Sequence, residues 1–223
     1  MTDVTYAYYP VFRGTAELRE RPAGDLAHLA HEAELLFKEW ADRVTVWASY
    51  STVGFRPDAE LLLWLVASTP DDVQDLMVQF RRTGLGRRLD LTHAFMGVVR
   101  PAEFSPDHRP AFVKGEPPRA YACVYPFVRT SEWYLLPKEE RSALLAEHGE
   151  MGREFPDVLA NTTSAFGLGD WEWILAFESD QLDRIVDCIR RLRDARARLY
   201  TQLDVPFVTG IRKELAEAVA DLA

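Results

Sequence analysis

Asp58-Ala-Glu-Leu-Leu-Leu-Trp64 is echoed by Asp170-Trp-Glu-Trp-Ile-Leu-Ala176, and the likeness continues downstream of each copy. Residues 73–89 read VQDLMVQFRRTGLGRRL and residues 182–199 read LDRIVDCIRRLRDARARL. Each copy is an apolar strand leading into an amphipathic helix that ends in paired arginines. Leu76, Met77 and Phe80, then Ile185, Val186 and Ile189, recur at the three- and four-residue spacing of a buried helix face. Two such copies in one chain imply an internal duplication.

Working outward, each half also opens with a strand and a helix. In the first half the patterning predicts strands over Thr5–Phe12, Val44–Val53, Leu61–Ala67 and Leu91–Val99. The helices fall at Gly24–Arg43, with Leu26, Leu29, Ala30, Leu36 and Phe37 inward, and at Asp71–Arg82. The second half repeats the order with strands at Ala120–Phe127, Ala160–Phe166, Trp171–Phe177 and Val205–Thr209, and helices at Lys138–His148 and Leu182–Leu192. A last helix spans Arg212–Leu222. The order βαββαβ is the ferredoxin-like unit. The expected fold is therefore α+β: residues 1–104 form one ferredoxin-like half, 105–119 a linker and 120–223 the second half. The linker is marked by the stretch from Arg100 to Arg119, rich in proline (Pro101, Pro106, Pro110, Pro117 and Pro118), which is expected to sustain neither a helix nor a central strand.

At 223 residues and 48% hydrophobic, the chain can bury a large core. Its longest apolar runs fall well short of the roughly 20 residues that span a bilayer, and its N-terminus has no basic region leading into an apolar one. A soluble, cytoplasmic protein is expected. Cys123 and Cys188 lack metal-binding spacing and read as small buried hydrophobes in a reducing compartment. A net charge of −9 disfavours nucleic acid but leaves room for an anionic small molecule held by a few arginines.

Residues 125–161 read YPFVRTSEWYLLPKEERSALLAEHGEMGREFPDVLAN. Pro137 followed by Lys138, Glu139 and Glu140 marks a helix start, and Gly149 marks its end just after His148. His148 shares the apolar face of Leu144, Leu145 and Met151. By itself that position suits a core histidine better than a ligand, since a lone histidine on an apolar face is rarely a ligand and no CxxCH attachment motif is present. Tyr125 alternates with Cys123 and Phe127 on one strand face, which by itself suits a buried core tyrosine.

This stretch closely resembles the haem-binding half of the coproheme decarboxylases, members of the chlorite dismutase superfamily. The likeness extends more loosely through GFRPDAE, FRRTGLGR, RPAEF, LGDWEWILAFE and VPF. It implies a dimeric α+β barrel within one chain, assembled as a homopentamer. The implied activity is oxidative decarboxylation, driven by hydrogen peroxide, of two propionates of iron-coproporphyrin III (coproheme) to vinyl groups, giving haem b. Substrate and redox cofactor are then one molecule. In this resemblance His148 is the axial iron ligand, and Tyr125 is the radical that takes a hydrogen atom from a propionate. Arg129 clamps a propionate, while Trp133 and Arg198 line or anchor the substrate.

One branch of that family carries a distal histidine in the segment EFSPDHRPAF, which here is His108. With an ordinary pKa near 6.5 such a residue can move the peroxide proton; an exposed loop histidine is the other reading. Glu172 is a candidate hydrogen-bond partner for His148. His28, His31 and His93 have no comparable context. The chain departs from the family pattern at Thr130-Ser131, at Val208 within Phe207–Gly210, and at Tyr200 after Arg198-Leu. These changes leave open a paralogue that keeps haem b as a permanent cofactor for peroxidase or oxygenase chemistry, and a non-enzymatic haem carrier. Chlorite decomposition is disfavoured because Ala160 to Thr163 holds no arginine. A dye-decolourising peroxidase is disfavoured because its GxxDG pattern is absent.

Overall fold

The computed structural model describes residues 4–101 and 109–223. In chain order these form β1 (Tyr6–Gly14), α1 (Ala16–Arg19), α2 (Ala23–Glu39), β2 (Val44–Arg56), β3 (Ala59–Ala67), α3 (Pro70–Phe80) and β4 (Leu89–Val98). There follow β5 (Tyr121–Arg129), α4 (Ser131–Leu135), α5 (Lys138–Gly152), β6 (Leu159–Ser164), β7 (Trp173–Ser179), α6 (Leu182–Leu192), β8 (Thr201–Leu203), β9 (Val208–Arg212) and α7 (Leu215–Ala220). Two compact units result. One comprises residues 1–98 with 208–223, the other residues 99–207.

In the first unit the antiparallel strands run in the order β4-β1-β3-β2-β9. Leu61, Leu63 and Leu65 point to one face of β3, as the two-residue period of a strand requires. That face meets Leu26, Ala30, Ala33 and Phe37 of α2 and Val73, Leu76, Met77 and Phe80 of α3. Phe80 stacks on Phe37 with ring centroids 5.5 Å apart. Helix α3 starts cleanly because Thr69 accepts the Asp72 backbone N–H at 3.2 Å and Pro70 needs no donor there.

The chain's end also belongs to this unit, whereas the sequence division sets it with the second half. Leu215, Ala218, Val219 and Leu222 complete the same core, and the Ser49 hydroxyl donates to the Lys213 carbonyl at 2.6 Å. Of the expected strand Val205–Thr209 only Val208 and Thr209 lie in a ladder, at the start of β9, while β8 has already ended at Leu203. Pro206 has no N–H to give a ladder, so pairing breaks around it.

In the second unit the antiparallel order is β6-β7-β5-β8. Cys123 faces Phe177 and Tyr125 faces Leu175 across the β5–β7 ladder. Ile185 and Cys188 of α6 are buried, with Ile189 and Leu192 beside them. Val186, expected inward, is 58% exposed; the stripe at 185, 188, 189 and 192 leaves it about 100° off the buried face. The linker, expected to sustain no helix, holds a short 3-10 turn, Ala111–Lys114. Asn161 accepts the Phe112 N–H at 3.1 Å, and Glu178 accepts the Arg119 N–H at 3.2 Å, which ties this segment down.

Between α3 and β4 the chain turns so tightly that a Cβ on Gly86 would lie 1.9 Å from the Phe80 carbonyl oxygen. Thr83 fixes the turn, donating to that oxygen at 2.7 Å and accepting the Gly86 N–H at 3.0 Å. The obstacle is backbone, which cannot swing aside. Gly86→Ala should therefore lower stability by more than about 3 kcal/mol, at the severe end for one methyl group. Urea unfolding measures it, and a midpoint within error of the parent would show that the turn can open at no cost.

Candidate functional site

All the described candidates for chemistry except those on the chain's last strand lie in the second unit, around the C-terminal end of β5. Arg129 ends that strand. Its guanidinium lies 4.1 Å from the Trp133 ring and 4.7 Å from the Phe127 ring, and donates to the Ala197 carbonyl at 2.8 Å. Its backbone N–H donates to Glu172 at 2.7 Å. Burial pushes its pKa down to about 10, with Tyr134 and Glu172 pulling the other way, so it remains charged at neutral pH.

Trp133 is buried on α4 and faces the Tyr200 ring at 5.8 Å. Tyr200, one of the residues departing from the family pattern, thus fills the space against Trp133. Leu144 and Leu145 of α5 pack on the same group together with Ala197. This anchors the helix that carries His148. The helix runs one turn further than expected: Gly149 is helical, and Arg153 caps the end. An interior glycine costs roughly 1 kcal/mol against alanine, which the packed face of α5 offsets.

His148 is half-buried. Burial first, then the positive charge of Arg129, hold its imidazole below the ordinary value. A neutral ring offers a nitrogen lone pair to a metal. The expected partnership with Glu172 is absent. That carboxylate accepts instead from the Arg129 backbone and, at 2.6 Å, from the Tyr134 hydroxyl. Among the described residues no side chain hydrogen-bonds to His148.

Tyr125 is buried in an apolar wall of Cys123, Phe177 and Ile185, with the Phe207 ring centroid 4.5 Å away. Burial drives its phenol pKa far above the usual 10, helped by Cys123; Arg193 lowers it and Asp204 raises it. Those two charged groups are therefore within electrostatic reach of the ring. Arg198 does not point free. It donates to Asp204 at 2.8 Å, and Arg193 pairs with the same carboxylate oxygen at 2.6 Å. Reading the sequence alone misses Arg193 and Asp204, because no spacing in it pairs them with Arg198. Of the other candidates, Ser131 opens α4 and is exposed, and Val208 opens β9 in the first unit. His108 lies outside the described residues.

A half-buried, neutral-leaning imidazole, a buried phenol and several arginines fit a metal complex that brings its own carboxylates. Residues 26–213 match the family described as chlorite dismutase, and the chain belongs to it. Within that family it is 45% identical over 222 residues to the coproheme decarboxylase of Mycolicibacterium smegmatis, covering 98% of this chain and 94% of that protein. The coproheme decarboxylase of Thermus thermophilus is 29% identical over 158 residues, 64% of this chain and 63% of its own length. Chlorite dismutase from Candidatus Nitrospira defluvii in complex with imidazole superposes with a TM-score of 0.87 at 24% identity, covering 98% of this chain and 94% of that one. A variant of that enzyme in complex with cyanide gives 0.88 at the same identity and coverage. At 24% identity the likeness is one of fold. Among the described residues no helix is long and apolar enough to cross a membrane.

Because Arg129 joins β5 to the Ala195–Tyr200 region through one charged donor, Arg129→Leu should destabilise the ligand-free protein by about 1.5–3 kcal/mol, the range for a hydrogen bond from a charged group. Urea unfolding without porphyrin reads this directly. No change would mean that packing alone holds the turn.

Proposed function

We propose that this protein oxidatively decarboxylates two propionates of iron-coproporphyrin III with hydrogen peroxide, forming haem b. The observation that carries the reading is a buried, oxidisable tyrosine on the same strand as Arg129, whose charge acts on His148, in a chain similar over nearly its full length to a coproheme decarboxylase. The same 4-1-3-2 strand order in each unit supports two ferredoxin-like halves of one barrel. The family likeness favours a ring of five such chains.

In this reading His148 is the axial ligand, and Arg129 and Arg198 take substrate carboxylates, with Trp133 lining the ring. When bound, the substrate's iron supplies the two-electron oxidation by peroxide on which each cycle depends. Tyr125 gives up its phenolic hydrogen and then takes a hydrogen atom from a propionate β-carbon. The carbon radical loses one electron to the iron, the bond to the carboxylate breaks, and CO2 leaves a vinyl group. Each cycle consumes one peroxide and one proton and releases two waters. His108 is the candidate that carries the peroxide proton. The raised pKa of Tyr125 suits its part, because the phenol keeps its proton until an electron leaves with it.

The defining experiment titrates the protein with coproheme, adds peroxide and weighs the porphyrin. Mass should fall stepwise through a three-propionate species to haem b. Tight haem b binding with no mass change in bound coproheme would favour the paralogue that keeps haem b.

Two variants assign the roles. Tyr125→Phe should bind coproheme within about threefold of the parent, since each charged contact, about 1.5–3 kcal/mol, is untouched. It should nevertheless release no CO2, and decarboxylation at the parental rate would eliminate the tyrosyl route. His148→Ala should keep its fold and lose the iron–histidine stretching band in resonance Raman spectra of the loaded protein. Persistence of that band would point to another ligand.

A further inference from the structure

The group that calls for explanation is Asp204. One of its carboxylate oxygens accepts Arg193 at 2.6 Å and Arg198 at 2.8 Å, and its side chain is only 13% exposed, against 38% and 37% for the arginines. Arg193 caps the C-terminus of α6 and Arg198 sits in the 3-10 turn Arg196–Tyr200. Asp204 follows β8 and lies three residues before Phe207, whose ring covers Tyr125. Leu192, next to Arg193, packs in the same Tyr125 wall. Two arginines thus converge on one point beside Tyr125, and an internal carboxylate occupies that point.

We propose that Asp204 is a specificity-determining residue: its carboxylate holds the Arg193–Arg198 pair in the ligand-free protein, and a substrate carboxylate displaces it. This rests on the reading of Arg198 as a substrate anchor. A carboxylate seated on this pair lies near Tyr125 and so belongs to a propionate that is removed. Once CO2 has left, the arginines lose that partner and Asp204 takes them back. The two guanidiniums against one carboxylate leave a single net positive charge, which retains an anion without leaving two adjacent, partly exposed cations unmatched after turnover. The exchange favours binding of coproheme over retention of its product. Electrostatic reach from both Arg193 and Asp204 to the Tyr125 phenol agrees with this arrangement.

The test compares binding of coproheme and of haem b, by absorbance titration without peroxide, in the parent, Asp204→Asn, Asp204→Ser and Arg198→Gln. Thermal melts of the ligand-free variants accompany the titrations. Removing the competing charge should tighten coproheme by about three- to tenfold in both Asp204 variants, the scale of releasing two partly exposed ion pairs. Haem b should stay within about twofold, since it lacks the carboxylate that competes with Asp204. The gain should shrink as salt rises. Weaker or unchanged coproheme binding in folded Asp204 variants would overturn the proposal, the former by making Asp204 a brace for the arginines. Equal tightening of haem b would overturn it as well, because the charge would then act as a general field. Arg198→Gln reads the underlying assignment separately: if it leaves coproheme binding untouched, Arg198 is not an anchor, whatever the Asp204 variants do.

Discussion

The second unit is organised around one guanidinium. Arg129 is the last residue of β5, and its side chain is held between Trp133 and Phe127 while donating to the Ala197 carbonyl. Its own N–H is fixed by Glu172, just before β7. Four segments that are distant in sequence thereby meet at one charge: the strand end, α4, the start of β7 and the 3-10 turn after α6. A half-buried cation without such partners would be costly. With them it becomes a fixed positive centre, and the α5 face that packs on Trp133 and Ala197 brings His148 within range of it.

That arrangement explains why the imidazole and the guanidinium suit each other. A histidine near a positive charge gives up its proton more readily, and a metal ligand must have its lone pair free. The overall charge of −9 is no obstacle to a polyanionic substrate, since Arg129, Arg193 and Arg198 are gathered in one unit. Screening confines the acidic surface to short range, about 8 Å at physiological salt.

Much of this is legible in the chain. The repeated strand–helix passages reveal element types along almost the whole length because their periodicity is strong: Leu61, Leu63 and Leu65 alternate, and Leu76, Met77 and Phe80 follow the helix. The failures have local causes. Gly149 reads as a helix stop, but nothing crowds its Cβ position and the packed helix continues past it. Val205–Thr209 reads as one strand until Pro206 is considered as a gap in donors. The chain's end falls to the wrong unit because its partners, Leu26 to Phe80, are remote in sequence. At the site, the sequence marks Tyr125, Arg129, Trp133 and Arg198 as single residues. It does not reveal that Glu172 is already engaged by Tyr134, nor that Arg198 shares a carboxylate with Arg193, since neither pairing follows any spacing.

The surroundings of Tyr125 have a chemical consequence of their own. A phenol can be oxidised by losing its proton first and then an electron, or by losing both together. Cys123, Phe177, Ile185 and Phe207 exclude water from the ring and put the phenolate out of reach at neutral pH. The route through a phenolate is thus disfavoured by burial, as is any route that first leaves a charged ring, whereas concerted loss of proton and electron creates no charge in the apolar wall. In the proposed reaction the next step, in which the phenoxyl takes a hydrogen atom from carbon, would create none either. In the proposed reaction the charges that change, those of the substrate carboxylate, would fall to the neighbouring arginines. On that proposal apolar wall and charged pair would divide the work: one would shield the Tyr125 ring from water, and the other would hold the anion that disappears.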